Sequence, residues 1–177
     1  MKYYRKMTTT PAGELTLIAS DKGLSAILWQ NDDPMRVRLS PVEDCHIHPL
    51  LLQTEEQLLE YFTGKRRVFS LPIDVTGTDF QKQVWKALLA IPYGQTLSYS
   101  EIGLQIGRPK AARAVGAASG KNPVSIVIPC HRVIGRNGQL TGFAGGLQTK
   151  SRLLSLERSD NSFKLSDTFA GRPCDKG

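Results

Sequence analysis

The first thirty residues alternate between apolar and polar positions, and short turn sequences interrupt the alternation. Turns at 11–13 and 21–23, each ending in Gly, separate the segments 3–9, 15–19 and 24–29. A period of two between turn residues is typical of half-buried β-strands. The pattern predicts a three-stranded antiparallel sheet.

A different period follows this sheet. Residues 31–49 have no clear period and are expected to form a loop, whereas apolar side chains recur at helical spacing through 48–62, with Gly64 placed to end the helix. Three strands and a helix make a small amino-terminal α/β domain, residues 1–75. We interpret the extended, proline-containing stretch 70–77 as the linker that leaves it.

Two capping boxes open the second half of the chain, Thr78 with Gln81 and Ser98 with Glu101. In each, the side chain of the first residue accepts a backbone N–H of the first helical turn. The side chain three positions later accepts the backbone N–H of that first residue. The first opens an apolar helical stripe, and the second opens a short helix.

A second short helix is predicted over residues 110–119, directly after Gly107-Arg108-Pro109. Two short helices about a turn that contains Gly are typical of a helix-turn-helix. The expected fold class is therefore α/β, with a mostly helical carboxy-terminal domain, residues 76–158, that contains a helix-turn-helix. Residues 159–177 are expected to form a polar, flexible tail.

The charge of the chain is concentrated in that second domain. The chain has 177 residues and a net charge of +7, but residues 78–158 carry 11 basic and three acidic groups, a net +8. Residues 1–77 are nearly neutral, and so are residues 159–177. A basic module beside a neutral one favours a polyanionic partner such as nucleic acid.

The chain has no sequence signature of export or of membrane insertion. The basic amino terminus is not followed by an apolar stretch of about 7–15 residues, and no apolar run approaches the roughly 20 residues of a membrane helix. The three cysteines are an odd number without regular spacing, which fits reduced thiols. We expect a cytoplasmic protein without a membrane partner.

The helix at 110–119 consists almost entirely of small residues, with Arg113 projecting from its middle. Ala and Gly cannot read base edges in the major groove, where bidentate contacts need Arg, Asn or Gln. They do permit a close approach to a nucleic-acid backbone. A helix that packs its small face against a core is an equally good interpretation of this composition.

The candidate chemistry is at Cys130 and His131, after a β-type apolar run at 122–128. A thiolate is the reactive form of cysteine, and a free thiol with a pKa near 8.5 needs a nearby base to form it at neutral pH. Alternation along a strand would direct the two side chains to opposite faces unless Pro129 breaks the strand. A buried Cys at the end of a core strand, beside an exposed His, is the alternative.

The sequence Pro-Cys-His-Arg-Val at 129–133, with Asn122-Pro123 before it, closely resembles the O6-alkylguanine-DNA alkyltransferase family, the methylated-DNA–protein-cysteine methyltransferases. The resemblance extends in ordered blocks from about Phe80 to Glu157. Residues 1–75 match only the family's general pattern of a small amino-terminal α/β domain.

The resemblance implies a suicide reaction in DNA repair, in which one alkyl group passes from O6 of guanine, and more weakly from O4 of thymine, to Cys130. His131 is expected to take the thiol proton through a water molecule, and Glu157 to orient His131. Asn122 is expected to hold the active-site turn by hydrogen bonds to the backbone. No cofactor and no metal is expected.

The resemblance also implies that the target base is flipped out of double-stranded DNA through the minor groove. Arg113 is expected to fill the gap in the base stack, and Tyr99 to hydrogen-bond the guanine at N3. The carbonyls of Cys130 and Val133 are expected to accept from the guanine amine. The small residues of the helix are expected to contact DNA closely. Together with Arg113 and Tyr99, the predicted DNA-binding residues are Ala111, Ala112, Ala114, Gly116 and Arg132. We expect the protein to bind alkylated double-stranded DNA as a monomer.

The glycine-rich loop is the last part of the implied site. It comprises Phe143, Ala144 and Gly145, which are expected to line the lesion pocket with Val133. Some relatives carry Tyr-Ser where this chain has Phe143-Ala144. The backbone N–H of Ala144, expected to face O6, does not depend on that change.

A cluster at Cys45, His46 and His48 holds three potential zinc ligands. Its spacing fits no standard zinc pattern, so a solvent-exposed polar stretch is the preferred interpretation.

Two rival functions remain open at the level of sequence. A DNA-binding regulator would use the helix-turn-helix without chemistry, but Cys130, His131 and Glu157 together argue against it. A Cys-His hydrolase would turn over many times, whereas an alkyltransferase would stop after one group per chain.

Overall fold

A four-stranded sheet forms the first layer of the computed structural model, which describes residues 1–159. The strands are β1 (Tyr3–Thr10), β2 (Gly13–Ala19), β3 (Leu24–Trp29) and β4 (Val42–Asp44), in the order β3-β2-β1-β4. The first three pair antiparallel, as predicted. The core-facing apolar residues of β2 and β3, Leu15, Leu17 and Ile27 among them, are fully buried, whereas Met7 of β1 is exposed.

The fourth strand was not predicted, because residues 31–49 were expected to form a loop throughout. β4 pairs parallel with β1, with Tyr3 opposite Val42 and Arg5 opposite Asp44. It is three residues long, and two of them are exposed, so it has no alternating apolar pattern. Pairing with β1, rather than local periodicity, determines this strand.

Helix α1 (Pro49–Phe62) covers the sheet, in agreement with the prediction for residues 48–62. His48 caps it by accepting the Leu50 N–H, 3.3 Å from Nδ1, and Gly64 follows its end at φ +77°. The helix buries one stripe of side chains, each worth about 1.5–3 kcal/mol when large and apolar. That stripe includes Leu51, Leu58, Tyr61 and Phe62.

The second half of the chain is mostly helical. It comprises α2 (Asp79–Leu89), β5 (Leu97–Ser98), α3 (Tyr99–Gln105), α4 (Ala112–Gly120), β6 (Val133–Ile134) and α5 (Leu147–Ser159). Both predicted capping boxes are present, at Thr78 and at Ser98. The predicted fold class is confirmed.

Helices α3 and α4 form the helix-turn-helix, and Gly107 in their connection has φ +78°. Helix α4 begins at Ala112, two residues later than predicted. Its N-cap, Ala111, makes no side-chain capping hydrogen bond. Small residues allow α4 to pack closely on α2 and α3.

The free edge of β3 joins the two halves of the chain. The linker pairs with it through Leu24, whose N–H donates to Pro72 and whose carbonyl accepts from Asp74. Further along the same strand, the Ile27 N–H donates to the carbonyl of Pro123, 2.9 Å away. One continuous hydrophobic core spans both halves, so the amino-terminal sheet directly supports the segment that leads to Cys130.

None of the helices within residues 1–159 is long and apolar enough to cross a membrane. The predicted tail lies outside the described residues, except for Ser159, which ends α5.

Candidate active site

The apolar run before Cys130 is not the regular strand that its composition predicts. Only isolated bridges form there, and Ile126 has φ +76°, a conformation that β-branched residues rarely adopt. Pro129 (φ −82°, ψ 65°) then makes an inverse γ-turn, in which the Cys130 N–H donates to the carbonyl of Ile128 at 2.8 Å. Cys130–Arg132 continue as one turn of 3-10 helix. The strand is therefore broken before Cys130, and its alternation does not constrain Cys130 and His131.

Asn122 holds this turn together. Its side-chain amide donates to the carbonyl of Ile128 at 2.8 Å, and its side-chain oxygen accepts from the Val124 N–H at 2.9 Å. The side chain is buried, so both bonds are protected from water. These are backbone hydrogen bonds of the kind expected for Asn122 from the sequence.

Glu157, on α5, is the centre of a buried polar cluster. Its carboxylate lies 2.6 Å from Nε2 of His131 and 2.6 Å from the hydroxyl of Tyr61. Arg132 donates to both carboxylate oxygens, at 2.8 and 3.1 Å, and the Gly94 N–H lies 3.3 Å from one of them. Gly94 is at φ +83°, where a Cβ would lie 3.2 Å from the Glu157 carbonyl.

The charges in this cluster are balanced. Burial alone would raise the pKa of Glu157, but the hydrogen bonds from His131 and Arg132 and the positive charge of Arg132 outweigh burial and hold that pKa well below its usual range. Burial lowers the pKa of His131, and with the positive charges of Arg132 and Lys150 it outweighs the hydrogen bond and charge of Glu157, which act to raise that pKa. The resting cluster thus contains an ionised Glu157 and a neutral His131.

A neutral His131 has one ring nitrogen free to accept a proton. With Nε2–H donating to Glu157, the lone pair is on Nδ1, which is buried and has no hydrogen-bond partner among the described residues. Burial raises the pKa of the Cys130 thiol, and Asn122 and the positive charge of Lys150 offset this only in part. Cys130 therefore rests as a thiol and needs a base before it can react.

Arg132 is not placed for the DNA contact that the sequence analysis assigned to it. Its guanidinium is buried, donates to Glu157, and also donates to the carbonyl of Ile91 at 2.7 Å. A guanidinium committed to a buried carboxylate is not available to phosphates. Arg132 belongs to the polar cluster.

Cys130 lines a small pocket that opens next to a wide groove. The pocket is about 10 Å³, roughly the space for one water molecule. The groove has a volume of about 550 Å³ and includes Arg113, Ala112 and Gly116 from α4. Both spaces share six lining residues: Arg36, Tyr99, Gly120, Gly142, Phe143 and Ala144.

The groove brings together most of the residues predicted to bind DNA. Tyr99 lies across Gly116, where an added Cβ would be 3.7 Å from the phenol ring, and its hydroxyl is 2.7 Å from that of Thr141. Arg113 is exposed at the groove. Ala111 and Ala114 belong to the same helix-turn-helix but do not line the groove.

Lys150, on α5, was missed in the sequence analysis. It is fully buried, and its ammonium donates to the carbonyls of Val133 at 2.7 Å and of Thr141 at 2.9 Å. These bonds connect the strand after Cys130 to the start of the glycine-rich loop. The signal was present in the sequence, because Lys150 shares one helical stripe with Leu153, Leu154 and Glu157.

Tyr61, Arg36 and Trp29 were also missed, and all three come from the amino-terminal domain. Arg36 donates to the carbonyl of Asn122 and pairs with Asp32. Trp29 packs against the glycine-rich loop. The periodicity of Tyr61 predicts burial in α1, but no local pattern indicates which partner it meets.

The Cys45, His46 and His48 cluster lies away from this site. His48 caps α1 and stacks on Tyr4 with ring centroids 4.8 Å apart. Within residues 1–159, no group of three His, Cys, Asp or Glu side chains is arranged to hold a metal ion.

Comparisons with known proteins agree on one family. Residues 2–75 match the family model described as the ribonuclease-like domain of 6-O-methylguanine DNA methyltransferase, and residues 79–159 match the model of its DNA binding domain. The methylated-DNA–protein-cysteine methyltransferase of Mycobacterium bovis is 47% identical over 161 residues, which cover 90% of this chain and 94% of that protein. The constitutive enzyme of Bacillus subtilis is 42% identical over 160 residues, covering 89% and 96%.

A solved structure supports the same assignment. The crystal structure of Mycobacterium tuberculosis OGT in complex with DNA superposes with a TM-score of 0.82 at 42% identity, covering 94% of this chain and 99% of that one. Together with the two domain matches, this similarity shows that the chain belongs to the 6-O-methylguanine DNA methyltransferase family.

Proposed function

We propose that this protein repairs DNA by moving an alkyl group from O6 of guanine to the sulfur of its own Cys130, once per molecule. Family membership makes it a methylated-DNA–protein-cysteine methyltransferase that acts on DNA. The assignment of the acceptor rests on one observation. The nucleophile Cys130 is adjacent to a neutral histidine whose free nitrogen can accept a proton, and a buried carboxylate holds that histidine.

The reaction begins with removal of the thiol proton. His131 takes it at Nδ1 through one water molecule in the Cys130 pocket, and Glu157 stabilises the resulting imidazolium. The thiolate then attacks the carbon bound to O6. The new S–C bond forms as the C–O bond breaks. The electron pair of the C–O bond leaves on the guanine, which is reprotonated. A thioether has no facile route back to a thiol, so the reaction stops after one turnover.

Recognition of the base uses backbone groups at the entrance of the pocket. The carbonyls of Cys130 and Val133 accept from the guanine amine, and the Ala144 N–H donates to O6. Lys150 already occupies one lone pair of the Val133 carbonyl, and the second remains available because a carbonyl accepts two hydrogen bonds. Tyr99 hydrogen-bonds the guanine at N3. O4-alkylthymine, which lacks the amine, is a weaker substrate.

Base flipping follows from the position of the target atom inside the duplex. Arg113 projects from the small-residue surface of α4 beside the groove, so it can fill the stack when the base enters. Ala112 and Gly116 allow that surface to approach the minor groove closely.

Labelled DNA tests the proposed transfer. Incubation with duplex DNA that carries radiolabelled O6-methylguanine should leave up to one label per chain on the protein, and none on Cys130→Ala. Cys45→Ala, which removes the other described cysteine, serves as the control and should keep the label. Label on Cys130→Ala would contradict the assignment. Transfer of several equivalents per chain would instead indicate a turnover enzyme.

The flipping role of Arg113 needs a separate comparison. Arg113→Ala should slow repair in duplex DNA at least tenfold, while its reaction with the free O6-methylguanine base changes little. Lys121→Ala, at the end of α4, removes one exposed positive charge as a matched control and should affect duplex repair only modestly. Equal losses of Arg113→Ala on the duplex and on the free base would show that Arg113 does not flip the base.

A further inference from the structure

The glycine-rich loop separates two spaces of very different size. Gly142 lines the small pocket of Cys130, Gly145 and Gly146 line a cavity between the domains, and Phe143 and Ala144 line both. The Cys130 pocket is about 10 Å³, whereas the interdomain cavity is about 680 Å³. An alkyl group much larger than methyl does not fit the Cys130 pocket as it stands, and withdrawal of the loop toward the cavity would make room for it.

Trp29, at the end of β3, lies against this loop. A Cβ built on Gly145 would lie 2.7 Å from Cδ2 and Cε2 of the indole and 2.9 Å from Cε3, so only glycine fits there. The indole also meets the ring of Phe143 edge to face, with centroids 5.4 Å apart. Trp29 lines the interdomain cavity, and thus contacts the loop where the loop would have to move.

The indole is held rigidly in this position. Trp29 is 7% exposed and pairs with Leu15 in the sheet. Its backbone N–H donates to Asp32 at 3.2 Å, and Asp32 pairs with Arg36, which lines the Cys130 pocket. The amino-terminal domain thereby contributes two residues around the Cys130 pocket: Arg36 lines the pocket, and Trp29 packs behind the loop.

We propose that Trp29 is a positioning residue that limits the size of the alkyl group accepted by Cys130, because it holds the glycine-rich loop against the pocket. The inference rests on the proposed alkyl transfer and adds a specificity role for the amino-terminal domain. Methyl groups are transferred with the loop in place. Bulkier groups are transferred only when the loop moves past the indole far enough to make room for them.

Two duplex substrates test this role, one with O6-methylguanine and one with O6-benzylguanine. In Trp29→Ala, the methyl rate should fall about five- to tenfold, since the Ala144 N–H is less well positioned. The benzyl-to-methyl rate ratio should rise at least tenfold, since the loop can enter the cavity. Trp29→Phe should retain most of the wild-type ratio. The Trp29 Nε1–H has no hydrogen-bond partner among residues 1–159, so this change alters ring size without breaking a hydrogen bond.

A stability control separates specificity from general damage to the domain. Leu17→Ala removes a fully buried side chain from β2 that does not line the cavity. It should lower stability and leave the benzyl-to-methyl ratio unchanged. If Trp29→Ala changes the methyl and benzyl rates by the same factor, the result expected for Leu17→Ala, the proposal is overturned.

Gly145→Ala provides a second test that does not depend on Trp29→Ala alone. In the otherwise wild-type protein, the Cβ of the new alanine should push on the indole and displace the loop. Transfer from O6-methylguanine should then slow at least tenfold. In the Trp29→Ala background the loss should be much smaller, because alanine leaves room for the Cβ, whereas in Trp29→Phe the loss should persist, because the phenyl ring retains an atom near the position of Cδ2. Additive losses would refute the contact-based role even if one variant folds poorly. Absence of any transfer by the wild type would instead remove the proposed function, and this inference with it.

Discussion

At the scale of single residues, the site depends on one carboxylate with several donors. Glu157 accepts from His131, Arg132 and Tyr61, and each donor constrains its direction. A buried carboxylate with one partner would be unstable, but the Arg132 charge and three neutral donors satisfy its oxygens. This satisfaction keeps His131 neutral and free to take a proton.

Removal of the Glu157 charge should therefore cost stability in a pH-dependent way. At pH 7, Glu157→Gln should lower the free energy of unfolding by about 3–5 kcal/mol, because it leaves Arg132 buried without its counter-charge. The folded pKa of Glu157 lies well below the unfolded value of about 4.3. The carboxylate's contribution is thus fully present above the unfolded pKa and is lost as pH falls toward the folded one. Below the unfolded pKa, the difference in free energy of unfolding between the wild type and Glu157→Gln should narrow by up to about 1.4 kcal/mol per pH unit.

Urea unfolding at a series of pH values checks this expectation. Glu60→Gln is the matched control, since Glu60 pairs with Arg66 at a partly exposed position. Such surface pairs contribute about 1 kcal/mol at most. Similar losses in the two variants would contradict the central role of Glu157.

Tyr61 tests whether the amino-terminal domain tunes the histidine. Tyr61→Phe removes one donor from Glu157, which leaves more of the carboxylate charge to act on His131 and should raise the pKa of His131. We expect alkyl transfer to slow several-fold and the acid limb of its pH–rate profile to move to higher pH. Tyr4→Phe removes a hydroxyl from the same domain, away from the cluster, and should leave the profile in place. An unchanged profile in Tyr61→Phe would show that the hydrogen bond is structural only.

At the scale of elements, the two short helices α3 and α4 carry the side chains proposed to face DNA, and α3 depends on its cap. Helix α3 has seven residues, fewer than an isolated helix needs to be stable. Ser98 caps it, and Tyr99 is its first residue. The cap thereby fixes the backbone from which Tyr99 reaches the groove.

The two capping boxes make a matched pair of tests. Ser98→Ala and Thr78→Ala should each lower the free energy of unfolding by about 1 kcal/mol. Only Ser98→Ala should also slow repair, by a few-fold, because Thr78 caps α2 at a distance from the groove. Urea unfolding combined with single-turnover repair rates would separate the two effects. Equal repair rates in the two variants would show that the α3 cap does not position Tyr99.

At the scale of the whole molecule, charge is separated between the two halves. Residues 78–158 carry a net +8, and the exposed basic side chains there include Arg108, Lys110, Arg113 and Lys121. The amino-terminal domain contributes structure instead, through the β3 edge, Arg36 and Trp29. Phosphate attraction thus comes from one half, while support for the alkyl pocket comes from the other.

Binding to undamaged duplex DNA should accordingly weaken steeply with salt. Each phosphate that the protein neutralises contributes about −0.9 to the slope of log affinity against log salt. Lys110→Ala, in the turn between α3 and α4, should reduce the magnitude of the slope by about one unit. Lys65→Ala, exposed after α1, should leave it unchanged. Fluorescence anisotropy between 50 and 200 mM salt would measure both, and equal slopes for Lys110→Ala and wild type would place Lys110 outside the interface.

Local sequence was enough to predict most elements. Alternation predicted β1 to β3, and capping boxes predicted the starts of α2 and α3, because these signals arise between residues a few positions apart. The Pro-Cys-His-Arg-Val motif indicated Cys130 as the nucleophile and His131 as its base only through its resemblance to the alkyltransferase family.

Only the tertiary structure decided which distant side chains complete the site. Tyr61 and Glu157 are 96 positions apart, and Arg36 and Asn122 are 86 apart, so their hydrogen bonds exist only once the two domains share a core. The same packing buries Arg132, bends the chain at Ile126 and pairs β4 with β1 against their local patterns. The sequence by itself indicated the candidate chemistry, through a short motif and its resemblance to the family. The packing of one domain on the other determined the environment of that chemistry, because burial and long-range pairing have no local signal.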